Sequence, residues 1–102
     1  MISLVGQNQN KIAEHCRRLA VARLEVFGSA ANGAFDPDKS DIDFLVEFYD
    51  HDKPGILSRY LDLAESLETL LKRRVDLVTT SSVKNPRFRA NIETAKELVY
   101  VS

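Results

Sequence analysis

Hydrophobic and polar residues recur along this chain with spacings that predict two helices. A short amphipathic helix is predicted over 11–19, capped by Asn8 or Asn10. Its apolar positions lie at i, i+4 and i+7 and are Ile12, Cys16 and Leu19. A longer helix is predicted over 57–71 because apolar residues recur there with helical spacing for about four turns. These residues are Leu57, Tyr60, Leu61, Ala64, Leu67, Leu70 and Leu71.

Period-two alternation over 41–48 predicts a strand with one core face. The core face carries Ile42, Phe44, Val46 and Phe48. The opposite face carries Asp41, Asp43, Leu45 and Glu47. Shorter β-prone runs predict further strands at 24–27, 75–78 and 98–101. Helices and strands alternate along the chain, which predicts a sheet with helices packed on it.

Length and charge limit the possible functions. The chain has 102 residues, of which 44% are hydrophobic, so we expect a single domain over 1–102 with one core. Fifteen acidic residues against 14 Lys and Arg give a formal charge of −1, which argues against a protein that binds bulk nucleic acid. The single cysteine, Cys16, excludes an internal disulfide. With neither a signal peptide nor a membrane span in the sequence, we expect a cytoplasmic protein.

Carboxylates interrupt two of the predicted strands. Asp41 and Asp43 are two residues apart on one strand, so they project from one face with Cα atoms roughly 7 Å apart. Asp76 lies in the middle of another apolar strand, and pairing of the two strands would bring the three acids together. Clustered carboxylates repel one another unless a cation is present, so they predict a site for a hard ion such as Mg²⁺.

A phosphate cradle is predicted at Gly28 and Ser29, where the first strand ends. A glycine lets the backbone approach a ligand closely, and a helix that starts there presents free N–H groups to an anion. Eleven residues separate Ser29 from Asp41. A short helix over 30–33 and a loop over 35–40 would then return the chain so that cradle and acids share one edge.

These segments resemble the minimal nucleotidyltransferase (MNT) group of the polymerase-β-like superfamily. The resemblance covers nearly the whole chain and rests on Phe27-Gly28-Ser29-Ala30-Ala31-Asn32-Gly33, Ser40-Asp41-Ile42-Asp43-Phe44-Leu45-Val46 and Val75-Asp76-Leu77-Val78. It implies an α+β fold with a small mixed sheet flanked by helices. It also implies two Mg²⁺ ions, an NTP donor, and transfer of the nucleotidyl group to a hydroxyl with loss of pyrophosphate.

Roles for individual residues follow from the resemblance. It implies that Gly28 and Ser29 hold the β and γ phosphates and that Asp41 and Asp43 bind the metal. Asp76 becomes the general base or a ligand of the second metal. The resemblance also implies an antitoxin that adenylylates a tyrosine of a HEPN ribonuclease toxin with ATP and forms a hetero-oligomer with it.

Two departures from the family pattern keep other functions open. Ala30 and Asn32 stand where members commonly carry arginine, and the spacing from Ser29 to Asp41 is one residue longer. Lys39, Lys84, Arg87 and Arg89 are candidates for replacement charge. One alternative is an inactive antitoxin that neutralises its toxin by binding alone. Another is a nucleotidyltransferase of small molecules such as antibiotics, although so short a chain has little room for that acceptor pocket.

Several motifs have simpler interpretations. Acids from Asp36 to Glu47 partly match a calcium loop, but Asp41 stands where that loop needs glycine. His15 and His51 lack partners at metal-ligand spacing, which favours surface or packing roles. The basic run 72–74 suits a helix C-terminus. We interpret 84–89 as the start of a solvated helix, with Asn85 as N-cap and Pro86 as first residue, although contact with a nucleotide or partner stays open.

Overall fold

The computed structural model describes residues 1–32 and 41–102, except the side chain of Asn32. The elements are α1 (Ser3–Gln7), α2 (Gln9–Arg18), β1 (Val21–Phe27), α3 (Ser29–Asn32), β2 (Ile42–Phe48), α4 (Ile56–Leu71), β3 (Val75–Thr79), a 3-10 helix (Thr80–Ser82), α5 (Pro86–Thr94) and β4 (Glu97–Val101). The helices predicted over 11–19 and 57–71 correspond to α2 and α4, and all four predicted strands are present. The predicted loop over 35–40 lies outside the described residues.

Helix α1 was not predicted from the sequence. Its five residues allow no second apolar repeat, so periodicity does not reveal it. Tertiary contacts hold it instead: Val5 is fully buried in the core, and the Ile2 N–H donates to the Ala30 carbonyl at 2.9 Å. No helix in the described part of the chain is long and apolar enough to cross a bilayer.

The four strands form one mixed sheet in the order β3-β2-β1-β4. Strand β1 pairs antiparallel with both β2 and β4. Strands β2 and β3 are parallel, so the chain must cross from one end of the sheet to the other between them. Helix α4, with 16 residues, makes this crossover. The expected mixed sheet with helices around it is confirmed.

The main core lies on one face of this sheet. The four apolar residues predicted for the core face of β2 are all buried, at 4% exposure or less. They belong to one cluster with Ile12 and Cys16 of α2 and with Leu63, Leu67 and Leu71 of α4. The helical spacing of these residues turns one apolar stripe of each helix toward the sheet.

A second apolar cluster lies apart from the main core, which corrects the expectation of a single core. It contains Phe27, Leu45, Val83 and Ile92, with Val78 packed against it. Phe27 and Leu45 are on the side of β1 and β2 that alternates with the main core residues. Helix α5 covers this side, because Ile92 is its buried residue. The face of β2 that carries Asp43 and Leu45 is thus partly covered.

Of the two N-caps that were predicted, one makes a capping hydrogen bond from its side chain and the other does not. The Asn85 side-chain oxygen accepts from the N–H groups of Arg87 at 2.9 Å and Phe88 at 3.4 Å, and Pro86 is the first residue of α5, as predicted. Asn8 is the residue before α2 but makes no capping bond from its side chain. Its amide nitrogen donates to the Leu4 carbonyl at 2.8 Å, because α1 immediately precedes it.

A buried carboxylate fastens the end of α5 to the sheet. Glu25 in β1 is only 4% exposed, and its oxygens lie 3.2 Å from Lys96 Nζ and 3.3 Å from Arg23 Nε. Burial acts to lower the pKa of Lys96, but hydrogen bonds to Glu93 and Glu25 outweigh it and hold the pKa above its ordinary value. The ammonium group is therefore charged at neutral pH and neutralises Glu25.

Replacing Lys96 by methionine tests this contact. Lys96→Met keeps the aliphatic stem but leaves the buried Glu25 with one partner, so we expect the free energy of unfolding to fall by about 1–3 kcal/mol. The control is Lys53→Met, since Lys53 lies in an exposed turn beside Asp50 and its loss should cost less than about 0.5 kcal/mol. Urea denaturation at pH 7 measures both; equal stabilities would contradict the structural role of the pair.

Candidate functional site

The predicted site residues meet at one edge of the sheet. Phe27 pairs with Asp43 across β1 and β2, and Asp43 pairs with Asp76 across β2 and β3. Phe27, Asp43 and Asp76 therefore form one row across three strands, with neighbours about 4.8 Å apart between strands. We call this the carboxylate row. Asp41, which directly precedes β2, is exposed beside it.

Gly28 follows Phe27 and lies against the Asp43 carboxylate. Its φ of +67° is in the left-handed region, which favours glycine over residues with a Cβ. A Cβ placed on Gly28 would stand 2.7 Å from Asp43 Oδ2, closer than van der Waals contact allows. The absence of a side chain thus permits both the turn out of β1 and the close approach of backbone and carboxylate.

The environment of Asp43 favours its protonated form. Burial first, then the charges of Asp76 and Asp41, raise the pKa of Asp43 to about 6. This is the expected response of an acid that is partly desolvated and surrounded by like charge. A bound cation would reverse the preference, because it would stabilise the ionised carboxylate.

Oxygen ligands of this kind fit the predicted Mg²⁺. In the described ranges, 1–32 and 41–102, no group of three or more His, Cys, Asp or Glu side chains has the full arrangement of a metal site. The structure therefore brings Asp41, Asp43 and Asp76 to one edge without setting them as a ready ligand cage. The close approach of Gly28 to the Asp43 carboxylate and the raised pKa of Asp43 are the observations in favour of a cation there.

Ser29, which directly follows Gly28, is the first residue of helix α3. The predicted short helix over 30–33 corresponds to α3, which starts one residue earlier, at Ser29. Ala30 is only 1% exposed and belongs to the main core, so this position supplies packing where the family commonly has a cation. The side chain of Asn32 is outside the described part of the structure.

Besides Lys84, a candidate for replacement charge, the structure adds residues that the sequence did not assign to the site. A cavity of about 380 Å³ borders Asp76 and is lined by Val78, Ser82, Val83, Lys84, Asn85 and Phe88. The Phe88 ring makes an edge-to-face contact with Phe27, with ring centroids 6.2 Å apart and planes at 71°. In the sequence, these residues were indicated only by the basic, partly aromatic character of 84–89. The sequence does not show which part of the molecule that segment faces.

The other candidate charges have different positions. Lys84 lines the cavity beside Asp76, whereas the Arg89 guanidinium donates to the Val83 carbonyl at 2.7 Å. Arg87 is exposed on α5, and Lys39 is among the residues that the structure does not describe.

The remaining motifs agree with their simpler interpretations. His15 contacts Arg18 Nη2 at 3.0 Å on the surface. The basic run 72–74 follows the C-terminus of α4. Glu47, the last acid of the calcium-loop pattern, lies within strand β2.

A comparison of two glycines tests the cradle. Gly28 and Gly55 both have positive φ, but a Cβ at Gly55 would meet no atom within 4 Å. Alanine at either position should cost about 1–2 kcal/mol of stability through backbone strain. Only Gly28→Ala should also displace the Asp43 carboxylate, which a changed ¹³Cγ chemical shift of Asp43 would report. An unchanged shift in Gly28→Ala would contradict the contact.

The raised pKa of Asp43 predicts a specific pH dependence. Because the folded pKa of about 6 lies above the ordinary pKa of an aspartate, this carboxyl favours the folded state at low pH and loses that contribution as pH rises through 6. We compare the free energy of unfolding of Asp43→Asn with that of the wild type in metal-free buffer. The difference should favour the variant by about 1–2 kcal/mol more at pH 7.5 than at pH 4, after allowance for solvent screening. Asp52→Asn, on the exposed turn, should show no such difference. If urea denaturation shows that the stability difference between Asp43→Asn and the wild type does not change with pH, the prediction is refuted.

Comparisons with known proteins agree with this geometry. The family model of the nucleotidyltransferase domain matches residues 9–99. The protein adenylyltransferase MntA of Thermococcus cleftensis is 40% identical over 84 residues, which cover 82% of this chain and 78% of the relative.

Two solved structures are similar in fold. One, described as a minimal nucleotidyltransferase, has a TM-score of 0.73 and 32% identity, covering 89% of this chain and 88% of that one. The other, a toxin-antitoxin crystal structure with AMP-PNP, has a TM-score of 0.72 and 26% identity, covering 93% of this chain and 74% of that one. This chain therefore belongs to the nucleotidyltransferase domain family, in its minimal nucleotidyltransferase group, and is an enzyme of that class.

Proposed function

We propose that this protein is a Mg²⁺-dependent adenylyltransferase that transfers AMP from ATP to a tyrosine hydroxyl of a HEPN-type toxin and acts as its antitoxin. The observation that carries the proposal is the carboxylate row, with Asp43 between Gly28 and Asp76. The adenylyltransferase name of the Thermococcus relative and the nucleotide analogue in the similar toxin-antitoxin structure support it. The reaction takes place in the cytoplasm, where ATP is present.

The phosphate end of ATP is assigned to β1. Gly28 lets the triphosphate approach the backbone, and Ser29 provides a hydroxyl and the first N–H of α3. Asp41 and Asp43 would hold the metal ions, which stabilise charge on the attacking and leaving oxygens of such a displacement when they are bound. The chain's own contribution is mainly to position the α-phosphorus next to Asp43.

Asp76 is assigned to the acceptor hydroxyl. The hydroxyl oxygen forms a bond to the α-phosphorus while the bond from that phosphorus to the α–β bridging oxygen breaks, and pyrophosphate leaves. The proton of the hydroxyl passes to the Asp76 carboxylate, which is exposed on the edge strand β3 and so accessible to a partner protein. A general base in this position typically accelerates transfer by about 10²–10⁴-fold.

Neutralisation of the toxin by binding alone is the second candidate. The burial of Ala30 favours it, because the family's cation at that position would add a charge-assisted hydrogen bond to a triphosphate. The small-molecule alternative is not favoured, because Asp76 is exposed on the edge strand β3, where a protein acceptor can reach it.

Labelling of the partner distinguishes these functions. With a HEPN-type protein, Mg²⁺ and ATP, label from the α-phosphate should appear on the partner and label from the γ-phosphate should not. Asp43→Asn and Asp76→Asn should reduce α-labelling by about 100-fold or more, while the exposed-turn variant Asp52→Asn keeps it. If the wild-type protein neutralises the toxin without labelling it, the enzymatic proposal is wrong and neutralisation by binding is correct.

A further inference from the structure

We propose that the exposed cations around Asp76 form a docking surface for an acidic segment of the protein that supplies the acceptor hydroxyl. We call this surface the cationic rim; its members are Lys72, Arg74, Lys84 and Arg87, all of them exposed. The inference rests on the proposed function, in which a partner protein brings its hydroxyl to Asp76. It adds the residues by which this chain recognises that partner and the kind of surface that they fit.

Positive charge is concentrated in one segment of the chain. Residues 72–89 contain six of the 14 Lys and Arg but only one of the 15 acids, Asp76. The segment therefore has a formal charge of +5, whereas the remaining residues, with eight Lys and Arg and 14 acids, have −6. The overall charge of −1 conceals this separation. A local excess of one sign attracts a surface of the opposite sign and orients it during encounter.

The fold brings both ends of this segment to Asp76. The Ile42 N–H donates to the Arg74 carbonyl at 3.0 Å, which extends the parallel pairing of β2 and β3 by one residue and places Arg74 beside Asp41. Arg74 and Asp76 are two residues apart along the paired chain, so their side chains share a face, with Cα atoms roughly 7 Å apart. Beyond β3 the chain returns, and Lys84 shares the wall of one cavity with Asp76.

The rim cations have no carboxylate partner within 1–32 and 41–102, the ranges that the structure describes. None of the four is in an ion pair there, whereas Arg18, Arg23, Lys53 and Lys96 each pair with an acid. A cation that is not engaged within its own chain can pair with an incoming carboxylate without breaking an internal contact first. The rim is therefore ready for a partner of opposite charge.

The position of the rim favours the acceptor over the donor phosphates. Gly28 and Ser29, to which the β and γ phosphates are assigned, follow β1, whereas the rim flanks β3. Strand β2 lies between β1 and β3, so the two sites are separated by two strand spacings, about 10 Å. Asp76, the assigned base, is exposed on the side of the rim. Cations on that side would guide the protein that approaches Asp76.

A short acidic protein segment fits the rim better than a nucleic acid does. Four cations can match a few carboxylates, and the guanidinium groups of Arg74 and Arg87 suit bidentate contacts with them. A nucleic acid carries phosphates at regular spacing, and those beyond the rim would meet the part of the chain that has an excess of acid. The occupant that we assign is therefore an acidic segment next to the acceptor hydroxyl.

Binding of a HEPN-type protein to the whole chain tests the docking surface. Lys72→Gln combined with Arg74→Gln removes two rim cations. At about 50 mM salt, where screening is weak, the Kd for the partner measured by calorimetry should rise by about 10-fold. Lys84→Gln combined with Arg87→Gln should have a similar effect. The Kd of inorganic tripolyphosphate with Mg²⁺ should change by about 2-fold or less in either double variant, because the rim is distant from Gly28.

The control removes the same charge from another surface. Lys11→Gln combined with Arg17→Gln neutralises two exposed cations of α2, which packs against β1 and β4, away from β3. The Kd for the partner should then stay within about 2-fold of the wild-type value. Raising the salt to about 300 mM should weaken wild-type binding and remove most of the difference from the rim variants, because salt screens exposed charges.

The outcomes separate this inference from the proposed function. Unchanged partner binding in both rim variants would overturn the inference, and so would an equal loss in the α2 control, since net charge would then be responsible. If the rim variants raise the Kd of tripolyphosphate or of a short single-stranded RNA as much as that of the partner, the rim holds phosphate and the inference is wrong. If they weaken partner binding but the wild type transfers no AMP to the partner, the proposed enzymatic function fails and the docking surface stands.

Discussion

Parallel pairing of β2 with β3 is the constraint on which the rest of the site depends. Antiparallel neighbours are joined by short turns, but this pair requires a crossover, which α4 provides. The register that results places Asp43 beside Asp76. Partial burial first, and then repulsion by the charges of Asp76 and Asp41, raises the pKa of Asp43 to about 6. The core beneath them, rather than the acids themselves, keeps the strands in register.

Burial on one face of β2 therefore supports reactivity on the other. Phe44, next to Asp43 in sequence, is fully buried, as is Ile42. A slip of one residue would exchange the faces and place Asp43 in the apolar core. The hydrophobic effect thus enforces an arrangement of charges that is locally unfavourable without a cation. This is typical of functional sites, where local rules are broken and compensated elsewhere.

Helix α5 links the fold to the site from the other side of the sheet. Its buried Ile92 joins the second apolar cluster, and the following Lys96 neutralises Glu25 in β1. The opposite end of the helix then lies next to the carboxylate row, where Phe88 meets Phe27. One short helix thus covers the second face of the sheet and forms a wall of the cavity beside Asp76. The contacts of Ile92 and Lys96, away from the carboxylate row, help to fix the position of the helix.

Much of the fold was predictable because the signals are local. Periods of two and of about four residues identified β2 and the two larger helices, and Asn85-Pro86 marked the start of α5. Gly28, Asp41, Asp43 and Asp76 were likewise identifiable as candidates, because glycine at a strand end and aspartate within apolar strands run against ordinary strand composition. Helix α1 was not predicted, because a single turn is too short to show periodicity. The second apolar cluster was not predicted either, because Leu45 is the one apolar residue on a face of β2 that otherwise carries acids.

The sequence by itself determined which residues are chemically unusual and which stripes must be buried. Only the tertiary structure decided which of them meet: that Asp43 pairs with Asp76, that a Cβ at Gly28 would strike the Asp43 carboxylate, and that Ala30 is core. It also decided that Phe88 and Asn85 face a cavity shared with Asp76. The physical reason is that periodicity reports the environment of each residue along its own element, whereas contacts between elements depend on register and crossover, which no local pattern encodes.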